Sequence, residues 1–459
     1  MRPPCTPTAA FAGALLLFVA CVFDPSGLGT EGESAPGSST GGTTSTGEPI
    51  DPTTAAVTST GDDTTGFEVT TTTTGANCPD GCPPSVGWTV IGEQGEGVGY
   101  ALALDAVGDV IVVGDRMQAT DPTLRNIWAG KYDGDDADDG VPVWEMGRGG
   151  DAKRDDFARA VAIAGDGTIV VAGTLHDTDK NKADVWLGWV APDSGDVLSE
   201  SNLGTTDWDD GDAELDEWAR ALVIHPNGDL LVAGDRCVRP CQAPDAWVGR
   251  YTFAGEVAWD LPMLPFSTGA VRGLAAMGDG LVFVGTDGYA DSVSPWRSRI
   301  RQLNASGGGA WSALPEAGFE ADSYEALAVA LAPDGLLWVV GRQFLPDEAD
   351  GGWVRIYDPS VDVMPLAEVE GEELGGSART VVVTDDGALI GGTVGDRLWF
   401  ARFDSMLLQT WRIEEVGPYV ARGLVIDAAG DIVVLGAFAA KSRSEGERLW
   451  LRKYVSAGP

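Results

Sequence analysis

One unit recurs seven times along this chain, and a recurrence at that period restricts the fold more than any other property of the sequence. Its first half is plainest in "FARAVAIAGDGTIVVAGT", "WARALVIHPNGDLLVAGD" and "VARGLVIDAAGDIVVLGA". Each copy has an alternating apolar run, a turn at DG, NG or GD, and a β-branched run that ends in glycine, which is a hairpin pattern. The turn glycines are Gly108, Gly167, Gly228, Gly280, Gly335, Gly387 and Gly430, 43 to 61 residues apart. A variable connection then leads to a third strand with a tryptophan, at Trp128, Trp186, Trp247, Trp296, Trp353, Trp399 and Trp450. These indoles are expected to pack between neighbouring units. A polar turn and a fourth strand ("VPVWEM", "EVAWDL") complete the unit. Four strands per unit and no helical periodicity predict an all-β fold: a seven-bladed β-propeller of four-stranded antiparallel blades over 78–459.

The strand count does not close along the chain. The seventh unit ends nine residues after Trp450, too early for a fourth strand, whereas "SVGWTVIGEQG" (85–95) is a strand with no partner beside it. Trp88 matches the fourth-strand tryptophan of the other units. Residues 86–92 are therefore expected to pair antiparallel with 447–454 and close blade seven from the N-terminal side, because an open edge invites aggregation.

In such a ring the first strand lines the channel. The first–second and third–fourth turns share one face, and the long, variable connections share the other. Among the latter are "DRMQATDPTLRN", "DRCVRPCQAPDA", "RQFLPDEADGG" and "GTTDWDDGDAELDE". Long loops on a rigid scaffold are where binding residues collect, so this loop face is the candidate site. One repeat position near the loop-face start of strand one reads Tyr100, Arg159, Arg220, Arg272, Leu327, Arg379 and Arg422. Five arginines there could form a cationic collar for a carboxylate or sulfate. Alternatively, each pairs with local acids such as Asp155, Asp156, Asp216 or Glu217. The carboxylates Asp207, Asp209, Asp210 and Asp212 are a weak candidate for Ca2+, although no EF-hand register fits them.

The charge and the ends of the sequence bound the setting. Seventy acidic against thirty basic side chains give a formal charge of −40, which disfavours nucleic acid. Residues 1–21 combine Arg2, an apolar run from Ala9 to Ala20 and then Cys21, the pattern of a secretory signal rather than of a membrane span. Residues 22–77 are rich in Ser, Thr, Gly and Pro and read as a disordered tether with a mean reach of ~40 Å. In an exported chain, Cys78 with Cys82 and Cys237 with Cys241 read as two local disulfides.

Two resemblances add to this. "LFVAC" resembles the lipobox of bacterial lipoproteins, with Phe18 where that pattern usually has Leu, Val or Ile; the resemblance implies lipidation of Cys21 and attachment at the outer membrane or cell surface. The repeats, through their AR-φ-φ-φ…DG-φ-φ-φ-G pattern and strand-three tryptophan, resemble the SBBP-type β-propeller repeats of exported bacterial lipoproteins. That implies the fold and says little about activity.

No GxSxG, HExxH or phosphate-cradling glycine loop is present, and His176 and His225 fall on opposite faces of the expected ring. The leading expectation is a surface-displayed, non-catalytic recognition or scaffold module, monomeric, binding an extracellular protein or glycan, with membrane contact through its lipid anchor only. No cofactor is expected beyond the Ca2+ candidate. The alternative is a glycan-active hydrolase or lyase that uses loop-face carboxylates.

Overall fold

In a computed structural model the chain is described at residues 69–73 and from 83 to 456. Excepted are 93–96, 119–120, 122, 138–139, 151–153, 178–181, 204–214, 239–243, 262–268, 288–296, 314–322, 345–350, 362–363, 372–373 and 439–446. The described residues form seven antiparallel sheets and no helix. The chain is a seven-bladed β-propeller. Its innermost strands are Val98–Leu104, Phe157–Ile163, Leu215–Ile224, Gly269–Met277, Ser323–Leu331, Ser377–Thr384 and Pro418–Ile426. They neighbour one another around the ring.

One backbone device explains most of the repeat. In every blade the ladder between strands one and two slips by one residue, and the extra residue is Tyr100, Arg159, Arg220, Arg272, Leu327, Arg379 or Arg422. The arginine position is thus a β-bulge, which re-aims the side chain it carries. The bulge pushes a strand-one carbonyl against strand two, and the glycine that ends strand two is the answer to it. A Cβ on Gly114 would lie 1.7 Å from the Val98 oxygen, on Gly234 1.8 Å from that of Trp218, and on Gly392 1.8 Å from that of Ser377. The repeated "AR" and the repeated final glycine are two halves of one feature.

The glycine also faces the strand-three tryptophan. Trp128, Trp186, Trp247, Trp353, Trp399 and Trp450 pair with Gly114, Gly173, Gly234, Gly341, Gly392 and Gly436, and all six are buried between their own blade and the one before. Blade four departs from the expected pattern. Arg299 stands opposite Gly285, and Trp296 lies outside the described residues. Its hairpin pairs Met277 with Gly280, so Gly278, with a φ of 59°, takes the turn expected at Gly280.

Blade seven is built from both ends of the described chain. Ser85–Ile91 pairs antiparallel with Arg448–Val455, and Trp88 is 4% exposed. Trp88 does what outer-strand tryptophans do elsewhere. Its Nε1 donates to Gly134 O (3.0 Å) in the third–fourth turn of blade one. Trp144 reaches Pro192 O (2.9 Å) of blade two, and Trp259 reaches Ala305 O (2.7 Å) of blade four. A strand-three lysine shares each of the first two carbonyls: Lys453 donates to Gly134 O at 3.0 Å, and Lys131 to Pro192 O at 3.5 Å. Beneath the closing strand, Arg452 and Glu415, both 0% exposed, form a two-oxygen ion pair at 3.0 and 3.1 Å. The Tyr454 hydroxyl donates to Glu415, and Arg452 Nε donates to Thr89 Oγ1 at 2.8 Å. This buried group joins blade six, blade seven and the N-terminal strand.

One strand was not expected. Val69–Thr73, inside the 22–77 stretch read as disordered tether, pairs antiparallel with the outer strand of blade six, Gln409–Glu415. Residues 1–21, expected to be a signal and including Cys21, lie outside the described residues. Among the described residues no helix is long and apolar enough to cross a membrane.

Candidate functional site at the loop-face channel mouth

The seven bulges lie in the loop-face half of the inner strands, so their side chains form one ring at that end of the channel. The ring is not uniform. Arg272, Arg379 and Arg422 are 2%, 7% and 4% exposed and Leu327 is fully buried, whereas Tyr100, Arg159 and Arg220 are partly exposed. The accessible part is an arc on blades one to three.

The arc is organised around Tyr100. The Arg159 guanidinium carbon stands 3.6 Å from its ring centroid and that of Arg422 stands 4.6 Å away; Arg159 also lies 4.5 Å from the Phe157 ring centroid. Cations and rings therefore alternate across blades seven, one and two, each contact contributing about 0.5–2 kcal/mol. The Tyr100 hydroxyl donates to Asp115 Oδ2 at 2.7 Å. Burial first, and the neighbouring Asp115 carboxylate second, push the Tyr100 phenol up to about 12. Burial pulls the Arg159 guanidinium down to about 10, and the guanidiniums of Arg220 and Arg422 add to that against the opposing effect of Tyr100 and Asp115. Positive charge is crowded here, in a protein of net charge −40.

Acids hold several of the ring arginines, Arg220 of the arc among them. Arg220 Nε donates to Asp235 Oδ2 at 2.7 Å, and Arg422 pairs with Glu447 at 2.6 Å. Glu325, 0% exposed, accepts from Arg272 (2.8 Å) and Arg342 (2.7 Å). Burial opposes its charge, yet the two arginines hold its carboxyl below the ordinary glutamate value. The acids expected as partners serve backbone instead. Asp155 accepts the N–H of Arg125, Asp156 those of Gly150 and His176, and Asp216 that of Ala183. Asp155 and Asp216 each clamp the start of one blade to the blade before it, whereas Asp156 ties the connection into blade two to that blade's own second strand. Asp115 and Asp235, which directly follow the strand-two glycine, were the residues missed; their signal was the "GD" that ends "VVGD" and "VAGD".

The other candidates do not assemble. Asp207, Asp209, Asp210 and Asp212 lie outside the described residues, as do Cys78, Cys82 and Cys241; Cys237 is buried near the loop-face end of strand two in blade three. Among the described residues no group of three or more His, Cys, Asp or Glu could hold a metal ion. His176 is 3.4 Å from Asp156 at the loop face, while His225 bonds Asn227 and Gly278 O on the opposite face. A cavity of about 10 Å3 between blades two and three is lined by Glu217, Arg236, Tyr251 and Asp260. That is room for one water molecule, not for a sugar ring.

No protein-family model matches the chain, and no curated protein matches it in sequence. Solved structures do share its fold. Polysaccharide lyase Uly1 aligns at 10% identity and a TM-score of 0.50, over 78% of this chain and 90% of that one. Drosophila Plexin A in complex with Semaphorin 1b gives 10% and 0.47, over 81% and 88%. Quinohemoprotein alcohol dehydrogenase from Comamonas testosteroni gives 11% and 0.46, over 82% and 77%. At these identities the likeness is one of fold.

Proposed function

We propose that this propeller is a non-catalytic recognition or scaffold module that binds an extracellular protein or glycan through its loop face, by a carboxylate or sulfate on the ligand. The observation that supports it is the partly exposed arc of Tyr100, Arg159 and Arg220, three bulge positions on neighbouring blades of an acidic protein. Nε and Nη1 of Arg159 are buried and Nε of Arg220 is held by Asp235, so the arc offers an oxyanion its positive charge and single charge-assisted donors, and an aromatic ring beside it offers a face for the apolar side of a sugar. The alternative reading is a glycan-active hydrolase or lyase that uses loop-face carboxylates, and turnover of any polysaccharide that binds would favour it.

The setting belongs to the same reading. Residues 1–21 act as a lipoprotein signal, Cys21 carries the lipid, and the monomeric module sits at the outer membrane or cell surface. Cys78–Cys82 and Cys237–Cys241 form local disulfides, and Asp207, Asp209, Asp210 and Asp212 are a weak candidate for Ca2+.

Titration calorimetry against a sulfated polysaccharide, a polyuronate and a neutral glucan tests the ligand class. Binding of an acidic polymer and not of the glucan is expected, weakened at least tenfold by Arg159→Ala with Arg220→Ala. Binding that survives both substitutions removes the arc as its site.

A further inference from the structure

The outer edge of blade six is a strand-docking site, and its occupant decides from which face of the ring the N-terminal segment leaves. Three observations lead there. First, the outer strand of blade six spans seven residues (Gln409–Glu415), against five or six for the outer strands of blades one to five, Trp144–Arg148, Val197–Asn202, Val257–Leu261, Gly309–Ala313 and Ala367–Gly371. Second, it alternates inward-facing apolar residues, Trp411 and Ile413 at 4% and 1% exposed, as the outer strand of blade one does with Trp144 and Met146, so its backbone is held straight along the edge, whereas the outer strand of blade two is exposed along nearly its whole length. Third, the strand docked on it, Val69–Thr73, belongs to a run of β-branched residues (Val69–Thr74) in a segment otherwise rich in Gly, Ser and Pro. Such residues favour extended backbone, and an edge strand presents unpaired N–H and C=O groups for them to meet.

The direction of pairing carries the consequence. The outer strand of blade six runs toward the loop face and ends there at Glu415, which pairs with Val69; Thr73 pairs with Trp411, farther from that face. The docked strand thus begins, at Val69, at the loop-face rim. The closing strand of blade seven is oriented differently at its entry: Ser85 pairs with Val455, at the tight-turn end of its blade. If Val69–Thr73 lets go, the first fixed residues are those near 85, and the free segment starts from the opposite face, lengthened by 69–84. The two exits differ by the height of a blade, about 20 Å for six or seven residues of strand.

We propose that Val69–Thr73 is a releasable latch. Docked, it brings the N-terminal segment out beside the loop face; released, it hands the exit to the tight-turn face and turns the loops away from whatever the segment is attached to. The latch is held by a ladder of five residue pairs and closes no ring, so it can open without unfolding a blade. This inference rests on strand direction and is independent of which ligand the loop face takes.

Energy transfer in the full chain tests it, with the donor attached at position 66 by a non-cysteine chemistry and the acceptor at Val416 (loop face) or Met406 (tight-turn face), both exposed. Transfer to 416 is expected to exceed transfer to 406 in the parent. Thr71→Pro with Thr72→Pro, one of which removes a ladder donor because successive N–H groups alternate between the partner strand and solvent, should abolish or reverse that difference while the ring melts within about 2 °C of the parent. Deletion of 69–73 should do the same. Equal transfer to both sites in the parent, or transfer unchanged by the deletion, overturns the proposal. So does a variant whose ring no longer folds, because the strand would then be an integral part of blade six.

Discussion

Substituting Trp88 by alanine should cost what the same change costs at Trp144, although Trp88 is supplied by a strand from the far end of the chain. Both indoles are nearly buried, at 4% and 8% exposure, and both donate to the third–fourth turn of the next blade. Loss of a buried aromatic side chain to alanine costs about 3–5 kcal/mol, and this includes the unsatisfied Gly134 carbonyl only in part, since Lys453 still reaches it at 3.0 Å. With an unfolding entropy of about 2.1 cal/mol/K per residue, a propeller of this size loses about 4–6 °C of melting temperature for that energy. Equilibrium urea titration followed by tryptophan fluorescence, beside thermal scans, measures both variants. Removing the whole strand is worse. A variant that begins at Gly97 exposes the edge of Arg448–Val455 and takes Thr89 from Arg452, whose charge is fully buried with Glu415. It should not fold cooperatively, whereas one that begins at residue 83 should. If Trp88→Ala costs under 1 kcal/mol while Trp144→Ala costs its 3–5, or if the Gly97 variant melts like the parent, the N-terminal strand is not what closes the ring.

Glu325→Gln leaves Arg272 and Arg342 buried without their counter-charge and should destabilise the ring by about 3–5 kcal/mol, read by urea titration. The same carboxyl sets an acid limit. Its folded pKa lies below the ordinary glutamate value, so its contribution is complete above about pH 4.3–4.5 and is lost as the pH falls through the folded value. The acid midpoint should therefore shift up in Glu325→Asp, and no such contribution should appear between pH 6 and 8. Gly341→Ala places a Cβ 2.1 Å from the Glu325 main-chain carbonyl oxygen; it should cost more than 2 kcal/mol, against about 0.5–1 kcal/mol for Ala103→Gly, which only loosens a strand. Peptide mapping without reduction should find Cys237 joined to Cys241 and Cys78 to Cys82; a 78–237 bridge would contradict the local pairing.

The fold was legible because its demanding position is written in residues. A bulge needs a glycine across from it, the glycine leaves space that a tryptophan fills, and the same three-part pattern is read off the chain in blade after blade. Closure of blade seven was legible by subtraction, from a missing strand after Trp450 and a spare one around Trp88. The partners of the ring arginines were not legible. Asp235 lies 15 residues from Arg220 and Glu325 lies 53 from Arg272, and only the bulge register and the blade order bring them together. Nearby acids such as Asp155 and Asp216 looked like partners because they are close in sequence, but they sit where backbone N–H groups of the preceding blade need acceptors. Trp296 misled because the connection before it varies in length, which moved the apparent repeat three residues from Arg299. Val69–Thr73 was hidden by the company it keeps: in a Thr- and Gly-rich stretch the composition argues for disorder, and its pairing depends on an edge more than 300 residues away.

The charge distribution makes a distinctive demand on any anion that binds the arc. A ligand with sulfates or carboxylates approaches a protein of net charge −40 and is repelled by the surface as a whole out to about a Debye length, while at contact it meets Arg159 and Arg220 beside Tyr100. Salt acts on these two ranges unequally. Exposed, widely separated charges are screened at about 10 Å in 0.1 M salt, whereas partly buried pairs in contact are screened much less. Raising the ionic strength from about 0.02 to 0.15 M should therefore speed association, the reverse of an anion approaching a basic surface. The gain should stop once the long-range field is screened, and dissociation should change little. Stopped-flow binding of a sulfated oligosaccharide across that range measures it. An association rate that falls steadily with salt would mean that an attractive field guides the ligand, and the arc, embedded in so acidic a surface, could not be its source.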